Sequence, residues 1–279
     1  MMLLLAGGSL PAGAADFSNT VLGVSLRPEI GTAIYGYEAS GNLGGTFAGT
    51  RVTDGKVLLQ WSARAEALAG MVAFRYPFYP IYGAGAGGTV DYGLRLIPAL
   101  PISPYVSVGA GVDGAAVTRF GVPFNGGPFH NNLDGLGGVV GDVVLRFGGG
   151  GALVDPGQAL VAGLDARMDL SSPGANVPAR AFFGADLHAR YDWSGLIAMG
   201  EASLALAPPG HDAALGFTSY TDRWVLSASA LKTLGAHFFV GLGVRVRRDS
   251  SATVYDGGLT YQTSSAVDSR IWAAVGVMP

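Results

Sequence analysis

The sequence has no cysteine, few charged residues and no long uninterrupted apolar run. Without cysteine, a disulfide framework and a thiolate metal site are excluded. Only 13% of the 279 residues are charged, whereas soluble domains have about 25%. No apolar run reaches the roughly 18–20 residues that a membrane-spanning helix needs. These shortages argue against both an ordinary soluble domain and a helical membrane protein.

Basic charge is also scarce. The formal net charge is −3, and no long run of lysine or arginine occurs. A nucleic-acid-binding protein normally carries a basic patch that neutralises phosphates. We therefore expect no nucleic-acid partner.

What the sequence has in abundance is glycine, with 45 residues, and stretches of alternating polarity. In "ARAFFGADLHARYDW" (179–193), every second residue from Ala181 to Trp193 is apolar, and charged residues stand between them. A period of two is typical of a β-strand, because successive side chains point to opposite faces. One face of this strand is therefore apolar and the other is charged.

The same alternation recurs along the chain. It predicts clear strands at 56–69, 89–97, 104–117, 160–170 and 236–247, weaker ones at 139–147, 196–206, 222–231 and 269–277, and two more near 18–36 and 71–83. Strands in soluble proteins are mostly about 5–6 residues long. A tilted strand that crosses a bilayer needs about 9–11, and most of these segments reach that length.

The segments between the strands differ in length. We predict tight turns at 192–195 and 233–235, and long, polar, glycine-rich loops at 118–135, 207–221 and 249–265. Short turns at one end and long loops at the other are typical of transmembrane barrels. A sheet in hydrocarbon must also close, because unpaired edge groups are too costly there.

The fold class that we predict is all-β, a single antiparallel up-and-down transmembrane β-barrel of about twelve strands, with ten as the alternative. The barrel forms one domain over residues 16–279. Residues 1–15 are expected to be a signal peptide, because a short apolar stretch there ends in Ala12, Gly13 and Ala14.

In such a barrel the apolar faces meet lipid and the charged faces meet the lumen. The residues predicted to face the lumen are Arg64, Glu66, Asp91, Arg95, Asp113, Asp142, Arg146, Asp165, Arg167, Asp169, Arg180, Asp186, His188, Arg190, Glu201, Arg223, Arg245, Arg247 and Arg270. Arginine stays charged, and its planar guanidinium pairs well with carboxylates. Two interpretations are open: ion pairs that fill a narrow barrel, or a charged filter that sets the selectivity of a pore.

One short segment carries a family resemblance. "PISPYVSVGAGVDG" (101–114) resembles the P-Y-V-x-x-G-x-G pattern of the bacterial outer-membrane β-barrel superfamily, where it opens a strand just after a periplasmic turn. The resemblance implies a location in the bacterial outer membrane, surrounding outer-membrane lipid, and insertion by the outer-membrane assembly machinery.

Three functions fit this architecture. The first hypothesis is a narrow passive channel for small polar or ionic solutes. The alternatives are a closed barrel whose surface loops bind a ligand or partner, and an outer-membrane lipid-modifying enzyme.

The enzyme alternative lacks a nucleophile. "FHNNLDG" (129–135) resembles the barrel phospholipase pattern, but Asn132 stands where that pattern has its serine. Asp186 and His188 share a strand face and form a candidate charge pair, although a lumen histidine paired with a carboxylate also has a purely structural explanation. We therefore predict that the chain is not an enzyme and needs no cofactor or metal.

Overall fold

The computed structural model describes residues 17–33, 36–73, 78–119, 140–155, 157–171 and 180–277. They form twelve strands: β1 (Phe17–Ala33), β2 (Gly36–Thr53), β3 (Val57–Ala73), β4 (Phe78–Arg95), β5 (Ile102–Arg119), β6 (Val140–Asp155), β7 (Gln158–Ser171), β8 (Arg180–Trp193), β9 (Leu196–Asp212), β10 (Phe217–Leu234), β11 (Phe238–Tyr255) and β12 (Thr260–Val277). The predicted signal peptide at 1–15 lies outside the described residues.

Each strand pairs antiparallel with its neighbour in sequence, and β12 returns to pair with β1. In that last pairing Val24 lies opposite Val277 and Ile30 lies opposite Ile271. The sheet is therefore a closed up-and-down barrel without a free edge. This confirms the predicted fold class, with twelve strands rather than ten.

The number of strands agrees with the prediction, although two of the predicted strand positions do not. The prediction missed β2, where Gly41, Gly44, Gly45 and Gly49 interrupt the alternation because glycine has no side chain to show polarity. The strand predicted near 71–83 is instead divided between the end of β3 and the start of β4. Because one strand was missed and one predicted strand does not exist, the total stays at twelve.

Two predicted long loops are wrong. β9 continues to Asp212 and β10 begins at Phe217, while β11 continues to Tyr255 and β12 begins at Thr260. The connections at 207–221 and 249–265 thus shrink to four residues each. These segments are polar, but backbone hydrogen bonds hold a strand together whatever its side chains are. The third loop, predicted at 118–135, falls mostly outside the described residues.

The connections define two ends of the barrel. At the short-turn end lie the connections 54–56, 96–101, 156–157, 194–195 and 235–237, with the start of β1 and the end of β12. The turn at 194–195 has positive φ at both Ser194 (43°) and Gly195 (77°), which is the type I′ geometry that favours tight hairpins. The long-loop end carries the other connections.

The side chains of β8 point outward and inward as its alternation of polarity predicts. Leu187 is 59% exposed on the outside, whereas Asp186 is fully buried inside. Exposed apolar side chains form the outer surface on the other strands as well, including Val108, Leu164, Leu204 and Leu242. With strands of 14–18 residues and about 9–11 needed to cross the hydrocarbon, the barrel extends beyond the bilayer. Among the described residues, no helix is long and apolar enough to span a membrane.

Candidate functional site in the lumen

Near the short-turn end, apolar side chains pack together inside the barrel. We call this group the floor cluster; it consists of Val52, Leu58, Tyr105, Ala152, Ala159 and Val161, all buried and packed together. They come from β2, β3, β5, β6 and β7. Inward positions of a transmembrane barrel are usually polar. Here they form a small core instead.

A second contact joins opposite walls. Ala48 on β2 packs against Ile197 on β9, and Met199 packs beside them. A circular barrel of twelve strands would measure about 24 Å between opposite backbones, given a strand spacing of about 4.8 Å and a tilt of about 40°. Short side chains could not meet across that distance. The barrel is therefore flattened where these residues touch.

Arg190 bridges the same two walls. Its Nε donates to both carboxylate oxygens of Asp192 at 3.1 Å, and its Nη1 donates to the carbonyl oxygen of Trp61 on β3 at 3.3 Å. Both Arg190 and Asp192 are buried. The ion pair thus neutralises a buried carboxylate, and the hydrogen bond to Trp61 spans the lumen.

On the side of the floor cluster that faces the long-loop end lies a network of charged side chains. Arg167 donates from Nε to Asp169 at 2.6 Å and from Nη1 to Glu201 at 2.7 Å. Arg146 lies between strands, 3.6 Å from Asp186, 3.8 Å from Asp91 and 4.0 Å from Glu201. Buried carboxylates require such neutralisation, because an isolated buried charge is very costly. One connected cluster from β4 and β6–β9 thus consists of Asp91, Arg146, Arg167, Asp169, Asp186 and Glu201.

His188 joins this cluster to the floor. Its Nε2 lies 3.0 Å from the hydroxyl oxygen of Tyr105, and its Nδ1 lies 3.3 Å from Asp165. The carboxylate placed against the imidazole is thus Asp165, on the neighbouring strand, rather than Asp186 two residues away. In the β7–β8 register Asp165 lies directly opposite Asp186, two residues from His188, and this position brings its carboxylate close to the imidazole. Tyr105, from the P-Y-V segment, was not among the predicted lumen residues, although its parity with Ser107 indicated an inward position.

Glycine makes room for these side chains. A Cβ at Gly163 would collide with the Tyr105 hydroxyl and lie 2.9 Å from Cε1 of His188. In the same way, a Cβ at Gly148 would collide with Asp165, and one at Gly109 would collide with Asp91. Each of these glycines faces a bulky polar residue on the next strand. Part of the glycine content is thus explained by packing in the lumen.

The remaining predicted lumen residues have different positions. Arg64 pairs with Glu66 at 3.0 Å along β3. Arg95 lies at the short-turn end, where Nη1 donates to the carbonyl of Gly55 at 2.7 Å. Arg223 lies over the ring of Phe182, 4.5 Å from its centre.

Three more arginines lie on β11 and β12. Arg245 and Arg247 are half-buried, and Arg245 stands opposite Arg270 in the β11–β12 register. For Asp113, Asp142 and Arg180, the side chains lie outside the described part of the structure.

A cavity of about 240 Å³ lies between the floor cluster and the charged network. Leu58, Tyr105 and Val161 of the floor cluster form its lower surface. The polar residues around it are Gln60, Ser62, Thr89, Asp91, Ser107, Arg146, Asp165, His188, Arg190, Glu201, Ser227 and Ser229. Within the described residues, no group of three or more His, Asp or Glu side chains has the geometry to hold a metal ion.

The chain matches no protein-family model and no curated protein. Solved structures that it resembles include a bacterial polysaccharide outer-membrane secretin, at 11% identity and a TM-score of 0.35 over 92% of this chain and 98% of that one. The outer-membrane protein OmpT of Vibrio cholerae has 8% identity and a TM-score of 0.38 over 94% and 99%. The β domain of the Bordetella autotransporter BrkA has 10% identity and a TM-score of 0.36 over 92% and 98%.

At this level of similarity, the architecture rests on the strand pairing of the chain itself. A closed antiparallel barrel with an apolar exterior and short turns at one end is the architecture of outer-membrane β-barrels. The chain is a β-barrel of this class. The predicted outer-membrane location agrees with that architecture.

Proposed function

We propose that the chain is an outer-membrane β-barrel whose lumen is closed towards the short-turn end, and which acts by binding at its interior or its long-loop end rather than by conducting solutes. The observation that carries this proposal is the contact between opposite walls, where Ala48 packs on Ile197 and Arg190 reaches Trp61. In outer-membrane barrels the short turns face the periplasm. The closure would therefore lie on the periplasmic side.

A second candidate is the narrow passive channel for small polar or ionic solutes. It is favoured by the charged side chains around the lumen cavity, which resemble the charged rings that select ions in pores. Under this alternative, Arg190 and Arg245 belong to the selectivity filter. Both candidates are non-enzymatic, in keeping with the expectation from the sequence.

Conductance distinguishes the two candidates. We expect the refolded protein to be silent in a planar lipid bilayer, although it is folded and inserted. The double variant Leu58→Ala/Val161→Ala removes side-chain volume from the floor cluster and should produce discrete current steps. The matched control, Leu187→Ala/Leu204→Ala, makes comparable truncations on the outer surface and should stay silent.

Uniform current steps from the unmodified protein would contradict the closed lumen and support the channel. Ion selectivity would then be compared in Arg190→Ala and Arg245→Ala. Electrophoretic mobility with and without heating, measured on the protein reconstituted in the lipid vesicles that are fused with the bilayer, shows that each variant is folded in lipid, so that a silent recording is not mistaken for a failure to fold or insert.

A further inference from the structure

The connection between β4 and β5 is apolar throughout. Residues 96–102 read "LIPALPI", and we call them the apolar turn. Four of its large side chains are exposed: Leu96 at 55%, Ile97 at 50%, Leu100 at 44% and Ile102 at 61%. Three other connections at the short-turn end contain polar residues, namely Asp54, Lys56, Ser194 and His237. An exposed apolar patch of this kind normally marks a contact surface.

The backbone of the apolar turn needs little hydrogen bonding from water. Three of its N–H groups donate within the hairpin: Leu96 to the carbonyl oxygen of Pro104 at 2.7 Å, Ile97 to Oγ of Ser103 at 3.3 Å, and Leu100 to the carbonyl oxygen of Ile97 at 3.1 Å. Pro98 and Pro101 have no N–H group. Irregular backbone is costly in hydrocarbon because its polar groups lack partners there. In this turn most of the donors are paired or absent.

Arg95 fixes the turn from inside the barrel. Its side chain is buried, and Nη2 donates to the carbonyl oxygens of Pro98 and Leu100 at 3.5 Å each. These two carbonyl groups are thus paired on the inner side. On the outer side, Leu96 and Ile102 continue the rows of exposed apolar side chains along β4 and β5. The apolar turn is therefore continuous with the lipid-facing surface.

An aromatic pair marks the membrane boundary at this end of the barrel. Trp193 is exposed directly before the turn at 194–195, and its ring centre lies 6.5 Å from that of Tyr191. Tryptophan and tyrosine are enriched at the headgroup level of membranes, because their rings are apolar with one polar atom. The short turns thus lie near the headgroups, where apolar side chains of a turn are able to reach the acyl chains.

We propose that the apolar turn is an interfacial anchor, which inserts its side chains at the acyl-chain boundary of the leaflet on the short-turn side. The partner of this surface is thus lipid. Apolar segments that bind at an interface reach about 5–10 Å into this boundary, and Ile97 and Leu100 at the tip enter deepest. The anchor fixes the depth of the hairpin that carries Tyr105 of the floor cluster. It does not depend on whether the lumen conducts.

Spin labelling measures this depth directly, because the chain has no cysteine. Ile97→Cys and Leu100→Cys would each carry a nitroxide in vesicles of phosphatidylethanolamine and phosphatidylglycerol. Collision of the nitroxide with oxygen, which concentrates in hydrocarbon, is compared with its collision with a water-soluble nickel chelate. Leu164→Cys, on the outer surface of β7, gives the value for a label in lipid.

The matched control is Asp155→Cys. Asp155 is exposed at the end of β6, the strand that pairs with β5, and a carboxylate there requires water. We expect the oxygen-to-nickel collision ratio at residues 97 and 100 to be several times higher than at residue 155. Equal ratios at the three positions in folded protein would overturn the proposal, since the apolar turn would then lie in water, as a docking surface for a protein would.

A double variant tests whether the native side chains, rather than the label, hold the turn in lipid. In Ile97→Asp/Leu100→Cys, the carboxylate at the tip makes insertion unfavourable. The ratio at residue 100 should therefore fall to that of the control. A label that stays in lipid despite this charge would also overturn the anchor. Electrophoretic mobility with and without heating shows that each labelled protein is folded.

Discussion

Arg190 on β8 donates a hydrogen bond to the backbone carbonyl of Trp61 on β3, 129 positions earlier in the chain and on the opposite wall of the barrel, at 3.3 Å. The same guanidinium neutralises the buried carboxylate of Asp192. One side chain thus holds two walls together and stabilises a charge that could not be buried alone.

Arg190→Ala should therefore destabilise the barrel. Removing one partner of a buried ion pair costs about 3–5 kcal/mol, because the other charge is left uncompensated. The measurement is urea unfolding of the refolded protein in lipid vesicles, followed by tryptophan fluorescence. The control is Lys232→Ala, which removes an exposed hydrogen bond to the carbonyl of Ser194 and should change the free energy of unfolding by less than about 0.5 kcal/mol. Equal losses in the two variants would contradict a wall-bridging role.

Gly163→Ala should separate Tyr105 from His188. The added Cβ would occupy the space of the Tyr105 hydroxyl and lie 3.1 Å from the carbonyl oxygen of Gly149. Overpacking of this kind costs about 1–3 kcal/mol. At Gly200, on β9, the nearest atom to an added Cβ is 3.9 Å away, so Gly200→Ala should be tolerated. Unfolding experiments on the two variants would detect the difference, and a stable Gly163→Ala protein would argue against the close contact.

Leu187→Arg tests the lipid-facing surface. Leu187 is exposed on the outside of β8, and an arginine facing lipid near the bilayer centre costs about 2–4 kcal/mol. Leu215 is equally apolar and exposed, but it lies in the connection between β9 and β10, at the long-loop end. We expect Leu215→Arg to have almost no effect on folding into vesicles. Equal sensitivity at the two positions would mean that the side chain of Leu187 does not meet lipid.

Arg95→Gln should loosen the short-turn end. The guanidinium of Arg95 donates to the carbonyl oxygen of Gly55 at 2.7 Å and to that of Ala152 at 3.5 Å. It therefore ties the β2–β3 turn to β6. Hydrogen bonds from a charged donor contribute about 1.5–3 kcal/mol, so we expect a loss of that order. Amide hydrogen exchange should rise at residues 54–56 and 96–101, whereas Lys56→Ala, which removes an exposed side chain in the same turn, should leave exchange in these turns unchanged.

The alternation of polarity predicted the barrel because it is a local property. In 179–193 the period of two specifies a strand, and the low charge of the whole chain specifies that the apolar face meets lipid. Where alternation is hidden by glycine, as in β2, the strand was missed. Where a strand leaves the membrane and becomes polar, as at the ends of β9 and β11, it was mistaken for a loop. Side-chain polarity reports the environment, whereas strand pairing depends on the backbone.

The sequence by itself determined the fold class, the direction in which most side chains of the clearly alternating strands point, and the charged character of the lumen. Only the tertiary structure decided which charges meet. Asp165 rather than Asp186 lies against His188 because of the register of β7 on β8. The floor cluster and the contact between Arg190 and Trp61 depend on how far the closed sheet is flattened. That shape arises from packing between residues far apart in the chain, and no local pattern encodes it.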